Sequence, residues 1–346
     1  MEIKVNREKL VKDCEEVIAI SSPVSYYEEI HPYLEKKAKE YGLEVHYDRK
    51  RTAYISLEGE DPSKTVCVGA HVDTIGLIVR RIEKDGTLVV RQLGGVNYHS
   101  LEGEGVRVHT RDGRCYTGMI IHESHSVHVF ENARTADRDE KTMRVLLDKD
   151  VHSEADVLAL GIQHGDIVDP DARFTYTEDG YIRSRYIDDK ACVACLFATL
   201  DYLKENNLKP KYNTLFAFPI YEEIGHGGAW VPTEVSEYVA LDIGLVGPDY
   251  YGSEKKVSIC AADAYSPYDR GLTNHIIEKA KKINLDYALD VFYRYSTDAN
   301  AAIRGGNNVY AAAFGMGCMS SHGMERTHIC AIEDTTKLTI AYVLDL

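Results

Sequence analysis

The stretch GAHVDTIG, Gly69 to Gly76, follows directly on the apolar run TVCV, Thr65 to Val68. An apolar run of this length bounded by glycine reads as a buried strand. Residues two apart on a strand face the same way, so His71 and Asp73 would project side by side at its end. A neutral imidazole steadied by a carboxylate is one way to present a metal ligand. A buried His–Asp pair without chemical function satisfies the same spacing. The rest of the chain has to separate the two.

Around this strand the sequence alternates helical and strand-like segments. Residues 7–19 read as a helix, and a second helix ends near residue 41. LEVHYD, TAYISLE and TVCVGA follow as three short strands. Beyond Gly76 the texture becomes short strands and tight turns, signalled by Lys84-Asp85-Gly86 and Asp112-Gly113. This predicts a small β-rich domain over residues 77–173, inserted into an α/β domain made of 1–76 and 174–346. Its most polar stretch, ENARTADRDEKTMR, reads as a mobile loop. HESHSVH carries His122, His125 and His128 at a spacing of three, which spreads rather than gathers them, so a surface or interface loop is expected there. From about residue 176, NTLFAFPI and YVALDIGLV read as strands buried on both faces. TNHIIEKAKKINL reads as an amphipathic helix, and DTTKLTIAYVLDL as a closing helix capped by Asp334 or Thr335. The fold class is therefore α/β, a mixed sheet sandwiched by helices and interrupted by a β-barrel-like insert.

At 346 residues with a formal charge of −15, the chain has an ordinary soluble balance of 44% hydrophobic and 27% charged residues. The acidic excess argues against nucleic acid and anionic membranes as partners. No run approaches the roughly 18–20 apolar residues of a membrane span. The charged N-terminus lacks a signal-peptide core, which points to the cytoplasm and to reduced thiols for the eight cysteines. Cys192 and Cys195 form the only C-x-x-C, without a second pair at zinc spacing.

Four further stretches end a strand-like run on an acid or a histidine. YIRSRYIDDK supplies Asp188 and Asp189, and YEEIGHGGA supplies Glu222 and Glu223 after LFAFPI. ALDIG supplies Asp242, and SSHG supplies His322. Carboxyl ends of strands line the ligand crevice of open α/β sheets. Two histidines and several carboxylates there have the composition of a two-metal hydrolytic site. One carboxylate would bridge the ions and one free carboxylate would take a proton from water.

This ordered set resembles the dinuclear metallo-aminopeptidases that include tetrahedral aminopeptidase and glutamyl aminopeptidase. GIQHGDIVDPDARF and YSTDANAA fit the same resemblance, which covers nearly the whole chain. It implies that His71 binds one metal with Asp73 orienting its ring, and that Asp188 bridges both metals, followed by a cis peptide. It further implies that Asp242 completes the first site, that Glu223 and His322 bind the second, and that Glu222 is the general base. Two zinc, cobalt or manganese ions and short peptide substrates are implied, as is a homo-oligomer, a tetrahedral dodecamer. Lys190, Cys192, the GHGGA turn and SSHG depart from the family pattern without removing a ligand. His226 and His328 lie near the motifs and have no assigned role. A related dinuclear amidase, carboxypeptidase or deacylase is the enzymatic alternative, and a silent assembly protein the non-enzymatic one.

Overall fold

The computed structural model describes residues 3–346. The chain opens with α1 (Arg7–Ile18) and α2 (Ile30–Glu40). Asn6 caps α1 by accepting from the Lys9 amide, and Leu10, Cys14, Val17 and Ile18 bury one face. Three strands follow, β1 (Val45–Tyr47), β2 (Ala53–Leu57) and β3 (Asp61–Gly69).

Two compact units divide the chain, one running through Asp73 and resuming from Arg173 to Leu346, the other spanning Thr74–Ala172. The second unit contains β4 (Gly76–Ile82), β5 (Leu88–Leu93), β6 (Gly105–His109), β7 (Cys115–His122), β8 (Met143–Leu147), α3 (Glu154–Ala159) and β9 (Ile167–Pro170). Its strands close into a barrel in the order β4-β5-β8-β7-β6-β9. Alternate residues such as Leu77, Val79, Leu88, Val90, Val106, Val108 and Val145 fill the interior, as the period of two requires. The ENARTADRDEKTMR segment is an irregular loop in which Arg138 binds Glu102 and the carbonyls of Ala133 and Ala136. One expectation fails here. His122 is not on a surface loop; it ends β7, buried, with Nε2 3.0 Å from the Asp137 carbonyl and Nδ1 accepting from the Ser124 amide. It serves the loop connection, while His125 and His128 are exposed.

The first unit resumes with β10 (Thr175–Tyr176), β11 (Tyr181–Ser184), α4 (Ile187–Glu205), β12 (Tyr212–Phe218), β13 (Val235–Leu241) and β14 (Gly244–Leu245). It finishes with β15 (Val257–Ala262), α5 (Arg270–Lys282), β16 (Tyr287–Val291), α6 (Asp298–Arg304), β17 (Tyr310–Cys318), β18 (Glu325–His328) and α7 (Ile329–Val343). The main sheet is mixed, ordered β1-β2-β12-β3-β13-β17-β15-β16, with β14 paired to β17. Helices cover both faces. On β17, Ala311 and Ala313 join a cluster with Ala299 and Ala302 of α6. Met316, of opposite parity, meets the Cys192 sulfur of α4 at 3.6 Å. Cys192 and Cys195 are thus packing residues of a buried helix, and burial pushes both thiols up.

The closing helix starts earlier than Asp334. Its cap is His328, which accepts from the Cys330 amide through Nδ1 and reaches the Asp179 carbonyl through Nε2. A histidine in this role offers none of the usual Ser, Thr, Asp or Asn signal. No helix among the described residues is long and apolar enough to cross a membrane.

Candidate metal centre

β12, β3, β13 and β17 are adjacent and parallel, so their C-terminal ends lie along one edge of the sheet. Past the end of β3 the pairing with the β12 side continues. Ala70 N donates to Ala217 O and Val72 N to Pro219 O, at 3.0 and 2.9 Å. The alternation therefore persists: Ala70 and Val72 are buried, and His71 and Asp73 point the other way in register. Asp242 follows β13 directly, its amide donating to Phe314 O. This close approach needs Gly315 beside it, because a side chain there would strike the Asp242 carbonyl. Glu222 and Glu223 begin a short 3₁₀ turn beyond β12, closed by Gly225 at φ +82°. Asp188 and Asp189 stand in the first turn of α4, joined by a cis peptide and outside helical geometry. His322 sits in the loop from β17 to β18 at φ +63°.

The seven residues singled out by sequence converge. His71 Nδ1 lies 2.9 Å from the Asp73 carbonyl oxygen, which makes Nδ1 the donor and leaves Nε2 facing the carboxylates. Nε2 is 3.2 Å from Asp188 Oδ1 and 3.7 Å from Glu222 Oε2. On the other side, His322 Nε2 is 3.3 Å from Glu223 Oε2 and 3.7 Å from Asp188 Oδ2. Asp188 thus addresses one histidine with each oxygen. Asp242 joins His71 and Glu222 with ligand atoms within 4.8 Å of one another, as Glu223 joins His71 and Asp188.

Asp73 acts on two neighbours. Its carbonyl orients the His71 ring, with its carboxylate farther from Nδ1 at 3.6 Å. That carboxylate accepts the Glu222 amide on Oδ1 and the Glu223 amide on Oδ2, each at 3.2 Å. Three supporting acids had no role in the sequence reading. Asp189 Oδ2 accepts the His71 amide at 3.1 Å. Glu325, 2% exposed, accepts the Asp188 amide on Oε2 at 3.1 Å and the His322 amide on Oε1 at 3.0 Å. Asp298 accepts the Gly228 amide, and Lys50 binds the carbonyls of His226 and Gly227, so the GHGGA turn is held from both sides. A glutamate three residues after a histidine in a Gly/Ser loop was the available signal for Glu325. His226 stacks on Tyr221 and is exposed, and Lys190 binds the Ile20 carbonyl.

The electrostatics follow from crowding. Burial raises the Glu222 and Asp242 carboxyls well above the ordinary range, and neighbouring carboxylates add to it. Burial likewise lifts Asp189 and Glu325, and takes Asp298 to about 7. For His71, burial opposes the charged ring, but the Asp188 and Asp73 carboxylates outweigh it and raise the imidazole. Burial also opposes ionisation of Asp188, yet His71 holds it below the usual range. Buried carboxylates packed this closely are stable as anions only with cations among them. Two imidazoles and several carboxylate oxygens are donors that first-row divalent ions accept, so the residues present fit a metal centre. A cleft of about 440 Å³ opens onto Asp188, Glu222, Glu223, Asp242 and His322.

Known proteins share this architecture. Residues 52–338 match the model of the M42 glutamyl aminopeptidase family. A putative aminopeptidase of Bacillus subtilis, YhfE, is 38% identical over 336 residues, covering 97% of each chain. The structure of aminopeptidase APDkam598 from the archaeon Desulfurococcus kamchatkensis superposes with a TM-score of 0.88 over 98% of this chain and 96% of its own, at 21% identity. The TET1 peptidase of Pyrococcus horikoshii, which can assemble into a tetrahedron or a large octahedral shell, superposes at 0.84 over 97% of this chain and all of its own, at 22% identity. The family match across most of the sequence and the near full-length relative lead to one conclusion: the chain belongs to the M42 glutamyl aminopeptidase family.

Proposed function

We propose that the protein is a cytoplasmic aminopeptidase that uses two divalent metal ions, zinc foremost with cobalt or manganese as alternatives, to release N-terminal residues from short peptides. The observation that carries this reading is Asp188 between the two histidines, with Glu222 and Asp242 on the His71 side and Glu223 on the His322 side. In it, His71, Asp242 and Asp188 hold one ion, and Asp188, Glu223 and His322 hold the other. Bound ions would polarise the peptide carbonyl and acidify the attacking water.

The chain's own residues do the rest. Glu222 takes the proton of the attacking water and delivers it to the leaving amine. Asp73 fixes Glu222 and Glu223 through their amides and His71 through its ring, so one residue sets the base and two ligands together. In this reading residues 1–76 and 174–346 form the catalytic domain. The inserted 77–173 domain governs assembly and substrate access in a homo-oligomer, by likeness a tetrahedral dodecamer.

The test is amino-acid release from free and N-acetylated versions of a short-peptide panel, after chelation and return of zinc, cobalt or manganese. Metal-dependent release from the free peptides alone is the expected result. Cleavage of the blocked peptides would favour a deacylase on the same cradle, and no cleavage with any metal a silent scaffold.

A further inference from the structure

The turn that carries Glu222 and Glu223 is tied at its near end by Asp73. Its far end is tied by two residues from other elements. Lys50, in the connection between β1 and β2, donates to the carbonyls of His226 and Gly227, the second at 2.9 Å. Asp298, the first residue of α6, accepts the Gly228 amide on Oδ1. The peptide unit between Gly227 and Gly228 is therefore gripped at both poles, a cation on its oxygen and a carboxylate on its N–H. We propose that Lys50 and Asp298 are positioning residues of the reaction. Acting through this peptide unit, they set Glu222 where it can reach the attacking water and the leaving amine. The proposal rests on the aminopeptidase reading above and adds to it two residues that do not line the cleft.

Three observations support it. First, the turn needs a grip from outside. Nothing lies within 4 Å of where a Gly225 side chain would begin, and Ile224 and His226 on either side of it are exposed. A peptide unit between two glycines turns easily, so the charged partners at its poles fix its plane. Second, α6 packs directly on that backbone. A Cβ on Gly227 would lie 2.4 Å from Asp298 Oδ1, and one on Gly228 2.2 Å from the Asp298 carbonyl oxygen. Asp298 in turn stands on a braced helix start. Thr297 Oγ1 is 2.7 Å from the Tyr268 hydroxyl, which donates to Asp263 Oδ2 at 3.0 Å. Asn300 Nδ2 donates to Asp263 Oδ1 at 3.0 Å. Third, Lys50 is spent on backbone. It makes no ion pair with an Asp or Glu among the described residues, whereas Lys9, Lys37 and Lys64 each do. Its hydrogen bonds go to the turn of the base instead.

Metal-loaded wild type, K50M, K50R, D298A and the K50M/D298A double variant are assayed for kcat and KM on leucine amide and on leucine p-nitrophenyl ester. Ions per chain are counted by mass spectrometry, and circular dichroism checks folding. Ammonia leaves the amide only on receiving a proton, whereas nitrophenolate leaves the ester without one, so a displaced Glu222 is felt more on the amide. K50M is expected to lower kcat on the amide about 10–100-fold, the scale of a misplacement of about 1 Å. KM and ion content should stay, and the ester rate should fall less. K50R keeps donors for both carbonyls and should recover most of the rate. The double variant should lose no more than the worse single one, because both residues grip one peptide unit. Should D298A not fold, K50M, whose side chain is half-buried, decides alone. A merely structural role would lower stability and leave the amide-to-ester ratio of K50M at its wild-type value. That result overturns the proposal and leaves the aminopeptidase reading intact, as does a loss of metal from K50M that matches its loss of rate. A wild type inactive on both substrates and on free peptides with every metal would overturn both.

Discussion

His71 and His322 are the same kind of ligand held in opposite ways. The His71 side chain is 2% exposed, the His322 side chain 36%. His71 extends the ladder of β3, and its ring is set by the Asp73 carbonyl. His322 hangs in a loop at positive φ, and its backbone amide donates to the carboxylate of Glu325. The difference teaches that one histidine is set by the sheet and the other by a loop that a buried glutamate grips. On the proposed assignment, the first ion site is preorganised by secondary structure, and the second draws on Asp73 for Glu223 and on Glu325 for His322.

The most severe way to break the comparison is to remove the residue both halves share. Asp188→Ala should abolish the distinction by emptying both sites, with activity down about 10⁴-fold, since each ion supplies several kcal/mol of transition-state stabilisation. Metal analysis by mass spectrometry would check it, and retention of two ions per chain would refute the bridging role. Glu222→Gln comes next. It keeps the size and the amide held by Asp73, so both ions should stay while kcat falls about 10²–10⁴-fold. Near wild-type turnover would remove Glu222 from the base role.

The same contrast explains what was legible in the sequence. The parallel core strands are continuous apolar runs, so β3, β12 and β13 stood out, and the acids at their ends with them. The hairpin glycines marked the barrel for the same local reason; Gly86 and Gly113 sit at φ +85° and +83°. What escaped depends on contacts distant in sequence. Glu325 grips an amide 137 residues away, and no local pattern announces that. His122 and His328 look like surface or ligand histidines by composition. Their rings are instead spent on backbone groups of neighbouring loops and a helix start. Asp73 was legible as a partner of His71, but its hold on the Glu222 and Glu223 amides needs the fold to bring β12 beside β3.

Glu325 gives the sharpest test of the two halves. Glu325→Gln keeps one acceptor and turns the other into a donor facing an amide, so it should loosen His322 and Asp188 together. Partners that orient metal ligands are each worth about 10–100-fold in metal affinity. Titration of the stripped protein with cobalt, followed by its visible absorption, should show the His322 site weakened by that factor and the His71 site, which shares only Asp188 with it, weakened less. Equal weakening of both would mean that Glu325 acts through Asp188 rather than through the loop.

The smallest expected effect concerns stability rather than activity, and its sign follows from the crowded acids. Glu222, Asp242, Asp189, Asp298 and Glu325 have carboxyls raised in the fold, Asp298 to about 7. In the metal-stripped protein they keep protons that the unfolded chain, with ordinary carboxyls near about 4, has already released. The native state then binds more protons than the unfolded one, so stability falls as pH rises from about 4 toward 7 and beyond. His71, raised by its carboxylate partners, adds in the same direction, because its stabilising charge is lost as pH climbs through its folded-state value. Within the cluster Asp188, held low, opposes them, as does His31 away from it, whose imidazole burial lowers. Carboxylates held low act only at and below the unfolded value of about 4. Thermal unfolding in chelator should therefore show a melting temperature that declines between pH 5 and pH 8. Divalent ions in about 100-fold excess over their dissociation constant add about 2.7 kcal/mol. That should return about 5 °C at the upper end of the range, and less at the lower end, where protons compete for the same oxygens. A chelated protein whose melting temperature is flat or rises with pH would mean that these carboxyls are already compensated by the fold, leaving the cluster no electrostatic need for metal.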